Sequence, residues 1–177
     1  PLFSKVDAIL SVTPYYNKPS QRGLLAHFER VADESPVPVI LYNVPSRTAV
    51  NLDAGTTLAL AAHQNIIAIK EASGDFNQCN KIMERKPHDF LLISGDDMIT
   101  LPLLSIGAAG VISVMANAYP QYFSDLVRNA INGKYSESRE IHLSLVEMGN
   151  ILSAEGNPAG LKCVLELLGI CEETMRL

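Results

Sequence analysis

The sequence predicts an α/β fold in which a parallel sheet is covered by helices, and three observations point to a piece of a (β/α)8 TIM barrel. Short apolar runs alternate strictly with segments of helical period, five times in succession. The runs are apolar throughout rather than every second residue, the pattern of parallel strands buried on both faces. Polar residues gather at the C-terminal ends of several runs: Thr13-Pro14-Tyr15-Tyr16, Tyr42-Asn43, Lys70-Glu71, Ser94-Gly95-Asp96-Asp97 and Ser113. An open doubly wound sheet usually takes its ligand at a glycine-rich first turn, but neither GxGxxG nor GxxxxGK[ST] occurs here. A barrel builds its site from many strand ends at one face, so the distribution favours a barrel.

The first unit is "DAILSVTP" (7–14) followed by "QRGLLAHFERVADES" (21–35), whose Leu24, Leu25, Phe28, Val31 and Ala32 share one helical face. The second pairs "VPVILYNVP" (37–45) with "NLDAGTTLALAAH" (51–63), and the third "IIAIKEAS" (66–73) with "FNQCNKIMERK" (76–86). The fourth joins "FLLISGDD" (90–97) to "MITLPLLSIGA" (98–108), and the fifth "GVISVMAN" (110–117) to "PQYFSDLVRNAING" (120–133). After Gly133 the alternation stops. Residues 134–177 read as two helices, "SESREIHLSLVEMGNIL" and "PAGLKCVLELLG", separated by "SAEGN". The predicted organisation is a partial barrel over 1–133 and an incomplete helical extension over 134–177. Five units cannot close a barrel, which takes about 250 residues.

The bulk properties narrow the function. The 177 residues carry a net charge of −5, with no basic stripe for nucleic acid. No apolar run reaches the roughly 18 residues that cross a bilayer, and no basic segment leads into an apolar one as in a signal peptide. Cys79, Cys163 and Cys171 are odd in number and lack CxxC spacing, so they are expected to be structural thiols of a reduced, cytoplasmic protein.

Lys70 ends an otherwise apolar strand. It either snorkels to water and pairs with a neighbour such as Glu71, or stays inside as a nucleophile. A free lysine titrates near 10.4 and is almost wholly charged at neutral pH, whereas burial disfavours the ammonium and readies the amine for a carbonyl. Tyr42 ends the preceding strand, which adjoins that of Lys70 in a parallel barrel; its phenol could pass protons while an imine forms. Arg47, five residues on, has the planar fork that grips a carboxylate. Asp96 and Asp97 are read as helix caps rather than metal ligands, and His27, His63, His88 and His142 as surface residues, so no metal is expected.

Together, "SVTPYYNKPSQ" (11–21), "LYNVPSRT" (41–48), "IIAIKEASGD" (66–75), "ISGDD" (93–97) and "GVISVMAN" (110–117) resemble the dihydrodipicolinate synthases, pyruvate-dependent class I aldolases of the N-acetylneuraminate lyase superfamily. The resemblance runs from about Asp7 to Leu177. It implies that Lys70 forms an imine with pyruvate, with no other cofactor, and that Tyr42 relays protons beside it. It implies that Tyr16 reaches a neighbouring copy's relay, that Arg47 holds the carboxylate of the aldehyde substrate, and that Gly95 and the backbone carbonyl of Ile112 line the pocket. Tyr15 matches a residue at the lysine-inhibitor site of many bacterial members. The implied partners are pyruvate and L-aspartate 4-semialdehyde, and the implied assembly is a homodimer or homotetramer.

Neuraminate lyase and keto-deoxy-sugar-acid aldolases share the lysine and tyrosine; Arg47 in "YNVPSRT" and the Tyr15-Tyr16 pair favour the semialdehyde reaction. A further alternative is a truncated, non-catalytic barrel acting only in assembly. The family's first three strands, with the Gly-Thr-Thr-rich loop that supplies a relay threonine, have no counterpart, and "PLFSKV" (1–6) departs from the usual lead-in. The chain is therefore expected to be a fragment with barrel units four to eight.

Overall fold

The computed structural model describes residues 5–154 and 156–176, so most of the divergent opening, Glu155 of "SAEGN" and the final Leu177 lie outside the described residues. Five strands form one parallel sheet in sequential order: β1 (Ile9–Val12), β2 (Val39–Asn43), β3 (Ile66–Glu71), β4 (Leu91–Ser94) and β5 (Gly110–Val111). Sequential order decides between the two architectures. A doubly wound sheet reverses its order partway, which sends helices to both faces, whereas unbroken order with right-handed crossovers keeps them on one. These are five consecutive strands of a barrel wall.

Helices α1 (Gln21–Glu34), α2 (Pro45–Thr48), α3 (Ala54–Leu60), α4 (Phe76–Arg85), α5 (Thr100–Ser105) and α6 (Pro120–Ile131) connect and follow the strands. Three start where a side-chain oxygen takes an otherwise free N–H: Ser20 from Gly23, Asp53 from Thr56 and Asp75 from Gln78. Leu24, Phe28, Leu60, Cys79 and Ile82 pack from the helices onto Val39, Leu41, Ile69 and Leu92 of the sheet. A second cluster joins Met115 and Phe123 to Leu145, Leu152, Leu161 and Val164 of α7 (Tyr135–Ala154) and α8 (Ala159–Leu167). The buried Ser138 hydroxyl donates to Leu126 O at 2.8 Å, fixing α7 on α6.

Three expectations need correction. The strands are not buried on both faces: opposite the helices, Leu10 and Leu91 stay 45% and 42% exposed, because five strands do not enclose the barrel interior. The fifth strand is two residues long, and the rest of "GVISVMAN" turns into a 3-10 helix at Met115–Asn117. Asp96 and Asp97 do not cap α5. Asp96 Oδ1 accepts from Met98 N–H at 2.8 Å, while Asp97 Oδ2 accepts from Val114 and Met115 N–H at 3.2 and 2.9 Å, holding the turn after β5.

The thiol expectation holds for one cysteine. All three are free, but only Cys79 is buried; Cys163 and Cys171 are exposed. Burial, with Glu71 and Asp75 adding repulsion, pushes the Cys79 thiol up to about 12 and makes it unreactive. No helix among the described residues is long and apolar enough to cross a membrane.

Candidate active site

Parallel pairing sets the level of each side chain. Val12, Tyr42, Lys70 and Ile93 are successive register partners, and strand alternation turns this row away from the helices, toward the barrel interior. Tyr42 and Lys70 of this row border a cavity of about 380 Å³ at the C-terminal end of the sheet. Lys70, Tyr42, Arg47 and Gly95 all line it, with Asp96, Asp97 and Met98 from the β4 loop and Gly149, Leu152, Ser153 and Asn157 from the helical extension.

The Lys70 amine lies 4.4 Å from the centroid of the Tyr42 ring. The contact is with the ring face, where an ammonium is attracted by the π-cloud and a neutral amine fits without penalty. Burial lowers the Lys70 pKa from 10.5, and the negative charge of Asp97 opposes this without reversing it. Burial raises the Tyr42 pKa from 10.0 against the weaker pull of Arg47. The pair thus combines an amine inclined to neutrality with a phenol that keeps its proton, the opposite states that carbonyl addition and proton donation require. Glu71 is not the partner of Lys70, since alternation sends it to the other face.

Gly95 N–H donates to Glu71 O at 2.8 Å, drawing the β4 end against β3. A Cβ at position 95 would lie 2.7 Å from Ala72 Cβ and 3.1 Å from Lys70 Cε, so only glycine leaves the lysine its path. Arg47 sits on α2, a short helix absent from the sequence reading, and its Nη2 donates to Asn157 O at 3.0 Å. That bond ties the rim of the barrel to the extension.

The remaining site candidates lie apart. Ile112 does not line the cavity and is 37% exposed; its N–H donates to Ser94 O at 2.9 Å. Tyr15 and Tyr16 are 67% and 90% exposed on the loop after β1. Tyr16 holds a left-handed φ of 68°, with Asn17 N–H donating across it to Tyr15 O at 2.8 Å. A bulky residue in such a three-residue turn is strained and projects its ring outward. The wall from Gly149, Leu152, Ser153 and Asn157 was not foreseen, because it depends on how α7 crosses the strand ends. His63 is half-buried, its Nε2 3.1 Å from Asp33 Oδ1, and it does not line the cavity. Among the described residues no three or more His, Cys, Asp or Glu group as metal ligands do.

The geometry of the fold and cavity can be set beside known proteins. A family model described as "Dihydrodipicolinate synthetase family" matches residues 4–177. The 4-hydroxy-tetrahydrodipicolinate synthase of Parabacteroides distasonis is 51% identical over 176 residues, covering 99% of this chain and 59% of that protein. The enzyme of the same name from Cytophaga hutchinsonii is 47% identical over 175 residues, again with 99% and 59% covered. Among solved structures, dihydrodipicolinate synthase from Aquifex aeolicus aligns with a TM-score of 0.93 at 43% identity, over 97% of this chain and 59% of its own. The synthase of Methylacidiphilum fumariolicum aligns with a TM-score of 0.94 at 42% identity, over 97% of this chain and 58% of its own. The chain spans about 59% of the length of the curated relatives it matches.

Proposed function

The chain belongs to the dihydrodipicolinate synthetase family, and from that premise we propose that it carries the imine-forming half of a synthase that condenses pyruvate with L-aspartate 4-semialdehyde. The observation that carries the reading is the half-buried amine of Lys70 against the ring of Tyr42, inside a cavity rimmed by Arg47. The neutral amine adds to the pyruvate carbonyl, and loss of water gives an iminium on Lys70. Loss of a proton from C3 turns this into an enamine, whose C3 forms the new bond to the aldehyde carbon. The amino group brought by the semialdehyde then adds to the imine carbon and displaces the amine of Lys70, closing the ring of 4-hydroxy-tetrahydrodipicolinate and freeing the lysine, so that the imine itself takes the place of a cofactor.

Tyr42, whose raised pKa keeps it protonated, supplies and recovers the protons of the dehydration. Arg47 offers its guanidinium to the carboxylate of the aldehyde, Gly95 leaves room beside the lysine, and the Ile112 carbonyl faces the imine when the barrel is complete. Tyr16, already projecting outward, serves the relay of a second copy in a cytoplasmic homodimer or homotetramer, and Tyr15 borders a lysine-inhibitor site there. The names of the relatives favour this aldehyde over sugar acids.

Borohydride reduction of the complete natural chain in the presence of pyruvate tests the reading. The expected result is one adduct, on Lys70, together with turnover of L-aspartate 4-semialdehyde in a coupled assay. An unmodified Lys70 rejects imine chemistry, and an adduct without semialdehyde turnover rejects the substrate.

A further inference from the structure

Directly behind the cavity, on the helix-facing side of the same strands, lies a buried charge that the proposed chemistry does not use. Glu71 is fully buried between β3 and α4, and among the described residues no ion pair involves it. Neutral donors surround it instead. Ser73 N–H donates to Oε1 at 2.7 Å, Gln78 Nε2 donates to Oε2 at 2.9 Å, and Asn43 Nδ2 lies 3.1 Å from both oxygens.

These donors are themselves fixed. Asn43, fully buried, accepts from Leu52 N–H at 2.9 Å through Oδ1, which sets its amide with the nitrogen toward the carboxylate. Gln78 accepts from Asn51 Nδ2 at 2.8 Å, and Asn43 Nδ2 reaches Asn51 Oδ1 at 2.8 Å, closing a ring between β2, β3, α4 and the loop before α3. An unpaired buried carboxylate is costly, and an apolar side chain of similar size would serve packing at least as well. What the carboxylate adds is direction, because each oxygen accepts only along defined lines.

The register shows what that direction controls. Asn43 is the strand partner of Glu71, and Tyr42, one residue earlier, is the strand partner of Lys70. Side chains alternate between faces, so pinning Asn43 and Glu71 outward at one level aims Tyr42 and Lys70 inward at the level just before it. Asn43, Glu71 and Ser94 are successive register partners and, with Thr13 just past the end of β1, are all fully buried; Glu71 is the charged member of this group. We propose that the Glu71–Asn43 pair, braced by Gln78, is a positioning device that holds the amine of Lys70 against the ring of Tyr42. Its part in the reaction rests on Lys70 being the imine-forming lysine.

The test uses the complete natural chain, Glu71→Gln, and the swap Asn43→Asp/Glu71→Gln. Glu71→Gln turns an amide donor toward the donors of Asn43 and Gln78, whereas the swap restores one carboxylate facing one amide. Competitive acetylation of Lys70 by acetic anhydride across pH reports its titration without turnover, and borohydride trapping at saturating pyruvate reports imine formation. Loss of the clamp lets the amine swing into water. In Glu71→Gln the titration midpoint of Lys70 should therefore rise toward the ordinary lysine range and trapping slow by ~10-fold, the rate constant falling while the pyruvate KM stays within about twofold. The swap should recover most of both.

An unshifted Lys70 midpoint with a trapping rate within twofold of the parent in folded Glu71→Gln overturns the proposal. So does a fall in the midpoint, which would mean that Glu71 acts by its charge. Should Glu71→Gln not fold, Gln78→Met decides alone: a rise with ~3-fold slower trapping supports the device, and unchanged values overturn it. If the parent itself gives no pyruvate adduct, the proposed function fails, while the acetylation profile still decides the positioning.

Discussion

The two faces of the sheet are built from the same five strands yet answer to different demands. Toward the helices, Val39, Leu41, Ile69 and Leu92 are buried to within 1% of completely, and every polar residue of the terminal row has partners. Toward the barrel interior, Leu10, Leu91 and Ile112 stand partly open, and the nitrogen of Lys70 has an aromatic face for company. The covered face holds the structure together, and the open face leaves its groups free to react. The difference teaches that a half-buried lysine is made possible by the face that it does not touch.

The sharpest break in that comparison is Lys70→Met. It should abolish pyruvate trapping and leave the thermal unfolding midpoint unchanged or higher, since a desolvated amine is removed; a calorimetric scan and peptide mass spectrometry check both halves. Next, Phe28→Ala on the covered face should cost ~3–5 kcal/mol in denaturant unfolding, whereas Leu10→Ala on the open face should cost about 1 kcal/mol or less. Equal costs would erase the distinction. Gly95→Ala should slow trapping by up to ~100-fold and also lower the unfolding midpoint, because the new methyl meets the rigid Ala72 Cβ at 2.7 Å as well as the lysine at 3.1 Å.

The pH dependence is smaller in effect and has a definite sign. With Lys70 lowered from 10.5, the unfolded chain binds more protons than the folded one between the two values, so stability rises with pH across that window. Trapping should likewise reach its plateau below the pH at which free lysine would. Cys79 runs the other way: its thiol, raised from 9.0 to about 12, stays protonated when folded, so this contribution is lost as pH climbs from 9 toward 12. A thiol reagent at neutral pH should therefore label Cys163 and Cys171 promptly and Cys79 only on unfolding.

The covered face was largely legible in the sequence because local pattern determines it. Leu24, Phe28 and Ala32 repeat at helical spacing, and the capping residues Ser20, Asp53 and Asp75 stand where their helices begin. Lys70 and Tyr42 were legible as polar interruptions of apolar runs, and parallel order places them side by side. Tertiary approach decided the rest. Asp97 finds its donors 17 and 18 residues away, and nothing near "SGDD" announces the turn at Val114. The strand expected through "GVISVMAN" gives way after Val111, where those N–H groups turn to Asp97 instead of a strand partner. Glu71 read as a partner for Lys70 because the two are adjacent, yet adjacency in a strand is what separates them.

The bond from Arg47 to the Asn157 carbonyl spans 110 positions of chain. It couples the arginine's posture to a segment that belongs to neither strand nor barrel helix. A substitution in the extension therefore shifts where the Arg47 guanidinium stands at the mouth of the pocket, while the staves of the cask keep their places.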